Sequence, residues 1–182
     1  MKKALALILL LAMLAALAAC GEKPASYDKE GYKALFDIAV NLPKEHSRET
    51  INKIFPSSGT DYLIKTFAER DRDYMAELDA QYNDMDSSYA EKYGDDYRIT
   101  YTVVKAVEKD KEGIEQYRSY DSHYFDVYGV DASKVVAVTF VTVSLKIEGS
   151  KDSYEREKTL QCYCIDGNWY SFYSTQLPLK LG

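Results

Sequence analysis

The chain has 182 residues, 29 acidic and 23 basic, with a formal net charge of −6. That length suffices for one domain of ordinary size with a real core. An acidic surface repels phosphate backbones and anionic headgroups alike, which argues against nucleic-acid binding and against a basic membrane-contact face.

Lys2 and Lys3 open the chain, residues 4–16 are an unbroken run of Ala, Leu, Ile and Met, and Leu17-Ala18-Ala19-Cys20 follows. A positive start, an apolar stretch and small residues at its end make the layout of a secretory signal peptide. A plain transmembrane helix needs about 20 apolar residues, more than residues 4–19 supply. The ending Leu17-Ala18-Ala19-Cys20 resembles the lipobox of bacterial lipoproteins. That resemblance implies acylation of the Cys20 thiol and cleavage between Ala19 and Cys20. The chain would then be anchored in the lipid bilayer at the extracytoplasmic face of the cell membrane. Two or three acyl chains hold a protein stably where one binds reversibly. On this reading residues 1–19 are a signal peptide, 20–26 a short tether containing Pro24, and 27–182 a single domain. The tether spans only about 20 Å when extended.

Residues 27–42 read as a helix, with Tyr32, Leu35, Phe36, Ala39 and Val40 on one face and Asn41-Leu42-Pro43 at its end. Ser47 is placed to cap a short second helix carrying Ile51, Ile54 and Phe55, broken by Pro56-Ser57-Ser58-Gly59. Residues 60–93 form the longest periodic stretch, through Leu63, Phe67, Tyr74, Leu78, Tyr82, Met85, Tyr89 and Tyr93. One long helix fits, with Asp86-Ser87-Ser88 as its weakest point and Gly94 as its stop. A coiled-coil seam is the alternative, but Tyr stands where such a seam prefers Leu and branched residues.

Past Gly94 the pattern changes. Residues 98–109 read as a strand, and residues 112–128 as a short helix closed by Gly129. Residues 134–148 are the clearest strand, Val141, Val143, Leu145 and Ile147 alternating with Thr142, Ser144, Lys146 and Glu148. Residues 154–165 run back after Gly149-Ser150-Lys151-Asp152. Asp166-Gly167 is a two-residue hairpin signal leading into a last strand, residues 168–174. Helices followed by consecutive hairpins predict an α+β fold, N-terminal helices packed on a curved antiparallel sheet closing as a cone.

Tyr93-Gly94 before Ile99-Thr100-Tyr101, a helix ending at Tyr128-Gly129, the Val-rich hairpin and Cys164-Ile165-Asp166-Gly167-Asn168-Trp169-Tyr170 occur together here. In combination they resemble exported lipoproteins of Gram-positive, clostridia-like bacteria that carry an NTF2-like (cystatin-like) domain. The resemblance covers residues 27–175 and implies that fold. Its motifs are hairpin and packing motifs, and the fold hosts enzymes and binding proteins alike.

No constellation of catalytic or metal-ligating residues stands out. His46 lies in a polar linker and is expected to be exposed; His123 stands among Asp121, Ser122 and Asp126, but neighbours on a helix point in different directions. Enzymes of the resembled fold use an acid, His or Tyr inside the cone, which makes Asp121, His123 and Asp126 the residues for an isomerase- or dehydratase-type alternative. Asp84-Met85-Asp86 lacks the Gly and Glu that complete a calcium loop, and Asp71-Arg72-Asp73 reads as a charged helix face. No cofactor is called for. Cys162 and Cys164, one residue apart in a strand, share a face and read as small buried thiols, since a disulfide between them has poor geometry; a redox or metal pair would need further ligands. Tyrosine numbers 17, and a ring that is apolar while its hydroxyl stays wet serves both half-buried packing and binding faces. Candidate ligand contacts are therefore aromatic: Tyr101, Trp169, Tyr170, Phe172 and Tyr173, with His123. The partner would be an envelope protein or a small ligand.

Overall fold

The computed structural model describes residues 27–172. Cys20 with its lipobox, and Tyr173, lie outside the described residues. The architecture is α+β. Helices lead, and four strands follow as one antiparallel sheet in the order β1-β2-β3-β4.

Helix α1 (Tyr32–Ala39) buries Tyr32, Leu35, Phe36 and Ala39, the i, i+3, i+4, i+7 face of an amphipathic helix. It is shorter than residues 27–42 because turns flank it on both sides. Helix α2 (Arg48–Asn52) starts at Ser47, whose hydroxyl accepts from the Thr50 N–H at 3.1 Å. That satisfies one of the four orphan donors at the helix start, as the sequence led us to expect.

Residues 60–93 are two helices rather than one. Helix α3 (Ser57–Ala68) begins directly after Pro56, so the stretch expected to break helix α2 instead opens the next one. Helix α4 (Tyr74–Tyr93) begins at Asp73, whose carboxylate accepts from the Met75 and Ala76 N–H groups. Between them Asp71 adopts φ +54°. Asp71-Arg72-Asp73 is thus a turn and cap. The break falls there because Asp tolerates the left-handed region and caps well. Asp86-Ser87-Ser88 stays helical, the Ser87 hydroxyl donating to the Asn83 carbonyl at 2.8 Å.

Helix α4 buries Leu78, Tyr82, Met85, Tyr89 and Tyr93 and stops at Gly94, φ +109°. Its last carbonyls are satisfied from the sheet. The Lys151 N–H donates to the Tyr93 carbonyl at 2.9 Å, and the Lys151 ammonium to the Glu91 carbonyl at 3.1 Å. A cation at a helix C-terminus also complements the helix dipole. The turn that carries Lys151 joins β2 to β3, so the hairpin tip is bolted to the end of α4.

Strand β1 (Arg98–Glu108) pairs with β2 (Val135–Glu148), with a register shift between Val103 and Lys105. Strand β2 pairs along its length with β3 (Ser153–Ile165), and β3 with the short β4 (Asn168–Tyr170). The last turn carries Asp166 at φ +50° and Gly167 at φ +82°, the two positive φ values of the tight hairpin that Asp-Gly favours.

Parity along the strands assigns two faces. Val141, Val143, Leu145 and Ile147 are buried on the face that meets α1 and α4. Leu160, Cys162 and Cys164 stand opposite Val141, Thr139 and Ala137 on that same face. Between β1 and β2, helices α5 (Lys111–Tyr120) and α6 (Ser122–Val127) lie against the other face, the Tyr117 ring 5.3 Å from Phe140. The expected helix over residues 112–128 is bent in two at Asp121.

Candidate functional site

The aromatic residues expected as ligand contacts lie on both faces of the sheet, Trp169 and Tyr170 splitting as strand alternation predicts. Trp169 pairs with Cys164 and shares its face, whereas Tyr170 pairs with Tyr163 on the opposite face. Adjacent strand residues must point oppositely.

On the α1 face, Trp169 is 7 % exposed, with its ring edge-on to Tyr27 and Tyr32. Its indole N–H donates to the Asp28 carbonyl at 2.8 Å. Gly31 makes this close approach feasible, because a Cβ there would lie 2.6 Å from the indole Cδ1. Tyr101 sits further along the same face, its ring 5.3 Å from Phe36. Its hydroxyl donates to the Asp37 carboxylate at 2.8 Å and lies 3.1 Å from the Lys33 carbonyl.

On the other face, Phe172 is the hub of an aromatic cluster. Tyr163, Phe125, Tyr128, Tyr124 and Phe55 surround it at ring separations of 5.0 to 6.4 Å. These rings fill one another's space, so Phe172 ties the turn after α2, helix α6 and the sheet together. Tyr170 is half-buried beside them, and burial, then the Asp166 carboxylate, push its hydroxyl pKa up. His123 is exposed, its nearest ring Tyr124 at 5.9 Å. His46 corrects the expectation of exposure: its side chain is 13 % exposed, packed on Tyr82 at 5.1 Å, with Nδ1 3.0 Å from the Leu42 carbonyl.

Sequence reasoning missed a recurrent device: tyrosine hydroxyls donate to carboxylates across element boundaries. Tyr27 donates to Glu108 at 2.5 Å, Tyr97 to Asp86 at 2.5 Å, Tyr101 to Asp37, and Tyr163 to Asp121. Each ties a helix, the α5–α6 junction or the segment before α1 to the sheet or to the residue leading into it, and a charged acceptor makes each stronger than a neutral hydrogen bond. Burial first, then the neighbouring carboxylate, raises Tyr27 to about 12 and lifts Tyr97 and Tyr101 higher still. No sequence signal reveals these pairs, since partners lie up to 81 residues apart.

Asp121 is the deepest of these carboxylates, 6 % exposed. It stands at the bend between α5 and α6, and its Oδ2 accepts from Tyr163 and, at 2.9 Å, from the Gln161 amide. Its backbone continues the helical bonding on both sides, N–H to Tyr117 and carbonyl from Tyr124. A buried carboxylate left without such donors would cost several kcal/mol or take up a proton (about 1–3 kcal/mol even for neutral groups). Cys162 and Cys164 are both fully buried free thiols, and burial pushes them to about 12 and about 11. Both stay protonated and unreactive near neutral pH.

A surface groove of about 270 Å³ lies where the end of α1 meets the start of β1. Val40, Asn41, Pro43, Lys44, Tyr97, Arg98, Ile99 and Thr100 line it. The Lys44 ammonium donates to the Tyr97 carbonyl at 2.9 Å and sits 3.8 Å over the Tyr97 ring. Among the described residues no group of three or more His, Cys, Asp or Glu is placed to hold a metal, and no helix is long and apolar enough to cross a membrane.

Comparison of the chain with family models, with curated proteins and with solved structures finds no match to any of them. Sequence and geometry therefore carry the functional reading alone.

Proposed function

We propose that the chain is a lipoprotein, held through acylated Cys20 at the extracytoplasmic face of the cell membrane. Its α+β domain, of the NTF2-like (cystatin-like) kind, is a non-enzymatic binding or accessory module for an envelope protein or a small ligand. One observation carries the anchor: Lys2-Lys3, an apolar run, then Leu17-Ala18-Ala19-Cys20. Helices ahead of an antiparallel sheet support the fold assignment. The Tyr–carboxylate pairs support the binding reading, because their acids and hydroxyls are spent on holding elements together. Tyr27 is already hydrogen-bonded to Glu108, which would seat the domain within seven residues of Cys20 and close to the bilayer. Growth with radiolabelled palmitate tests the anchor: label enters the wild-type chain and is lost in Cys20→Ala. Equal membrane retention and processing of both chains would overturn it.

Asp121 favours a second reading, a small-molecule isomerase- or dehydratase-type enzyme with this buried carboxylate as its base and Tyr163 beside it. Asp121→Asn separates the two. A binding module keeps its ligand or partner, whereas an enzyme keeps its substrate affinity and loses turnover.

A further inference from the structure

We propose that the free edge of β1 pairs with the β1 edge of a second copy of this chain, giving a two-fold dimer centred on Tyr101. The inference goes beyond the anchor and binding readings above, and the pairing itself needs neither.

The sheet order β1-β2-β3-β4 leaves β1 with one open side. The ladder decides which groups face it. The Lys109 N–H donates to the Val138 carbonyl at 2.8 Å, so the even-numbered residues of β2 turn their peptide groups toward β1. Register then sets Lys146 opposite Thr100 and Ser144 opposite Thr102. The N–H and C=O groups of Ile99, Tyr101 and Val103 therefore point away from the sheet. Lys44 agrees with this alternation: its ammonium reaches the Tyr97 carbonyl, the preceding outward group, at 2.9 Å. The open stretch is bounded by Lys44 at Tyr97 and by the register shift between Val103 and Lys105. Tyr101 is the midpoint between Tyr97 and Lys105.

An unpaired edge is a template for another strand, and native edges are guarded by charges. The part of β3 that β4 leaves unpaired carries Glu155, Arg156, Glu157 and Lys158 in a row, whereas residues 99–104 of β1 carry no charge. Ile99, Tyr101 and Val103 stay only half-buried, although Ile147, Leu145 and Val143 beside them on β2 are fully buried. Val104, at the end of the same stretch, is 52 % exposed.

The sequence of the edge selects its occupant. Ile99-Thr100-Tyr101-Thr102-Val103 reads apolar, Thr, Tyr, Thr, apolar in either direction. Antiparallel pairing about Tyr101 sets Ile99 beside Val103, Thr100 beside Thr102 and Tyr101 beside Tyr101 of the second copy. Such β-branched, hydroxyl and aromatic cross-strand pairs stabilise sheets. Arg98 meets Val104, so no like charges face each other along the stretch. Outward groups meet outward groups, which a slip of one residue would undo. The groove of about 270 Å³ lined by Val40, Pro43 and Ile99 lies beside this edge and gives the second copy's Val103 an apolar seat. A contact made of one patch meeting itself closes as a dimer.

The two-fold axis of an antiparallel strand pair stands perpendicular to the sheet. Both copies then carry α1, and Tyr27 ahead of it, on the same side of the joined sheet. Two acylated N-termini on one side reach one bilayer. A strand pair this short falls well below the about 20–30 residues a side of a standard interface. Association is therefore weak in free solution, and anchoring in one membrane supplies the local concentration it needs.

The test is disulfide trapping of the full chain by mild oxidation in the membrane, read as a covalent dimer on a non-reducing gel. Thr100 and Thr102 are exposed, and across the proposed pair their Cα atoms stand about 4.5 Å apart, within disulfide reach. Thr100→Cys and Thr102→Cys chains expressed together give about tenfold more dimer than either alone, because like positions lie about 7–8 Å apart, beyond that reach. The unsubstituted chain, with Cys162 and Cys164 buried, is the blank. Val104→Arg added to both chains sets cation against Arg98 and lowers trapping about tenfold, while Val104→Glu preserves it. Each variant is first shown to unfold at the wild-type urea midpoint. The proposal is overturned by no trapping in the mixture, by equal trapping in mixture and single variants, by trapping indifferent to Val104→Arg, or by a disulfide to a different protein in place of the second copy. A chain that incorporates palmitate yet is never trapped sinks the dimer alone. One that is trapped without being acylated sinks the anchor alone.

Discussion

The bond between Tyr163 and Asp121 should be the most costly of the Tyr–carboxylate pairs to lose. Tyr163 is 2 % exposed and Asp121 6 %, so water cannot replace the lost partner. Tyr163→Phe removes one hydroxyl and almost no volume, leaving Asp121 with the Gln161 amide alone among its two side-chain donors. A hydrogen bond to a charged group is worth about 1.5–3 kcal/mol net, so we expect a loss of about 2 kcal/mol. At about 2–4 °C per kcal/mol for a domain of this size, the melting temperature falls by roughly 4–8 °C. Asp121→Asn should cost a similar amount, and the double variant less than the sum by about 1–2 kcal/mol, because both changes break one contact. The assay is urea unfolding followed by the fluorescence of Trp169, the single tryptophan, which is buried on the opposite face and untouched by either change. Additivity within about 0.5 kcal/mol would refute the reasoning, since it would mean that hydroxyl and carboxylate do not depend on each other.

Other outcomes follow from neighbouring features. Gly31→Ala places a methyl group 2.6 Å from the Trp169 ring, so the indole must shift and release the Asp28 carbonyl. A loss of about 1–3 kcal/mol and a red-shifted emission are expected, and an unshifted spectrum would count against the packing described. Alkaline pH should weaken the fold. Tyr27 and Tyr89 are raised from 10.0 to about 12, both chiefly by burial, and Tyr97 and Tyr101 rise further. The folded chain holds these protons more tightly than the unfolded one. Stability is therefore fully present below pH 10 and declines as pH climbs through 12. A urea midpoint constant over that window would contradict this. Cys162 and Cys164, buried and protonated, should resist a thiol reagent at pH 8 in the native chain and react in denaturant; two reactive thiols in the acylated chain and three in unprocessed precursor are the expected counts. Ser47→Ala, losing the cap on the Thr50 N–H, should cost about 1 kcal/mol in the same urea assay.

Local periodicity and turn chemistry were legible in the chain itself. The alternation through Val141, Val143, Leu145 and Ile147 marks a half-buried strand because side chains in a strand switch faces every residue. Asp166-Gly167 marks a hairpin because both residues tolerate positive φ. Ser47 marks a helix start because its hydroxyl replaces a missing backbone partner. From these the α+β class and the antiparallel sheet followed. The break at Asp71-Arg72-Asp73 was harder to place, since a capping Asp and an exposed helical Asp look alike until the chain is seen to turn.

Only the tertiary structure decided which distant groups meet. Which layer Trp169 and Tyr170 each serve depends on what covers each face of the sheet. That Tyr27, Tyr97, Tyr101 and Tyr163 find carboxylates, and that Lys44 and Ile99 border one groove, depends on contacts spanning 11 to 81 residues. Local sequence fixes backbone preference within a few residues, whereas the partner of a buried polar group is set by how whole elements dock, through burial summed over many side chains.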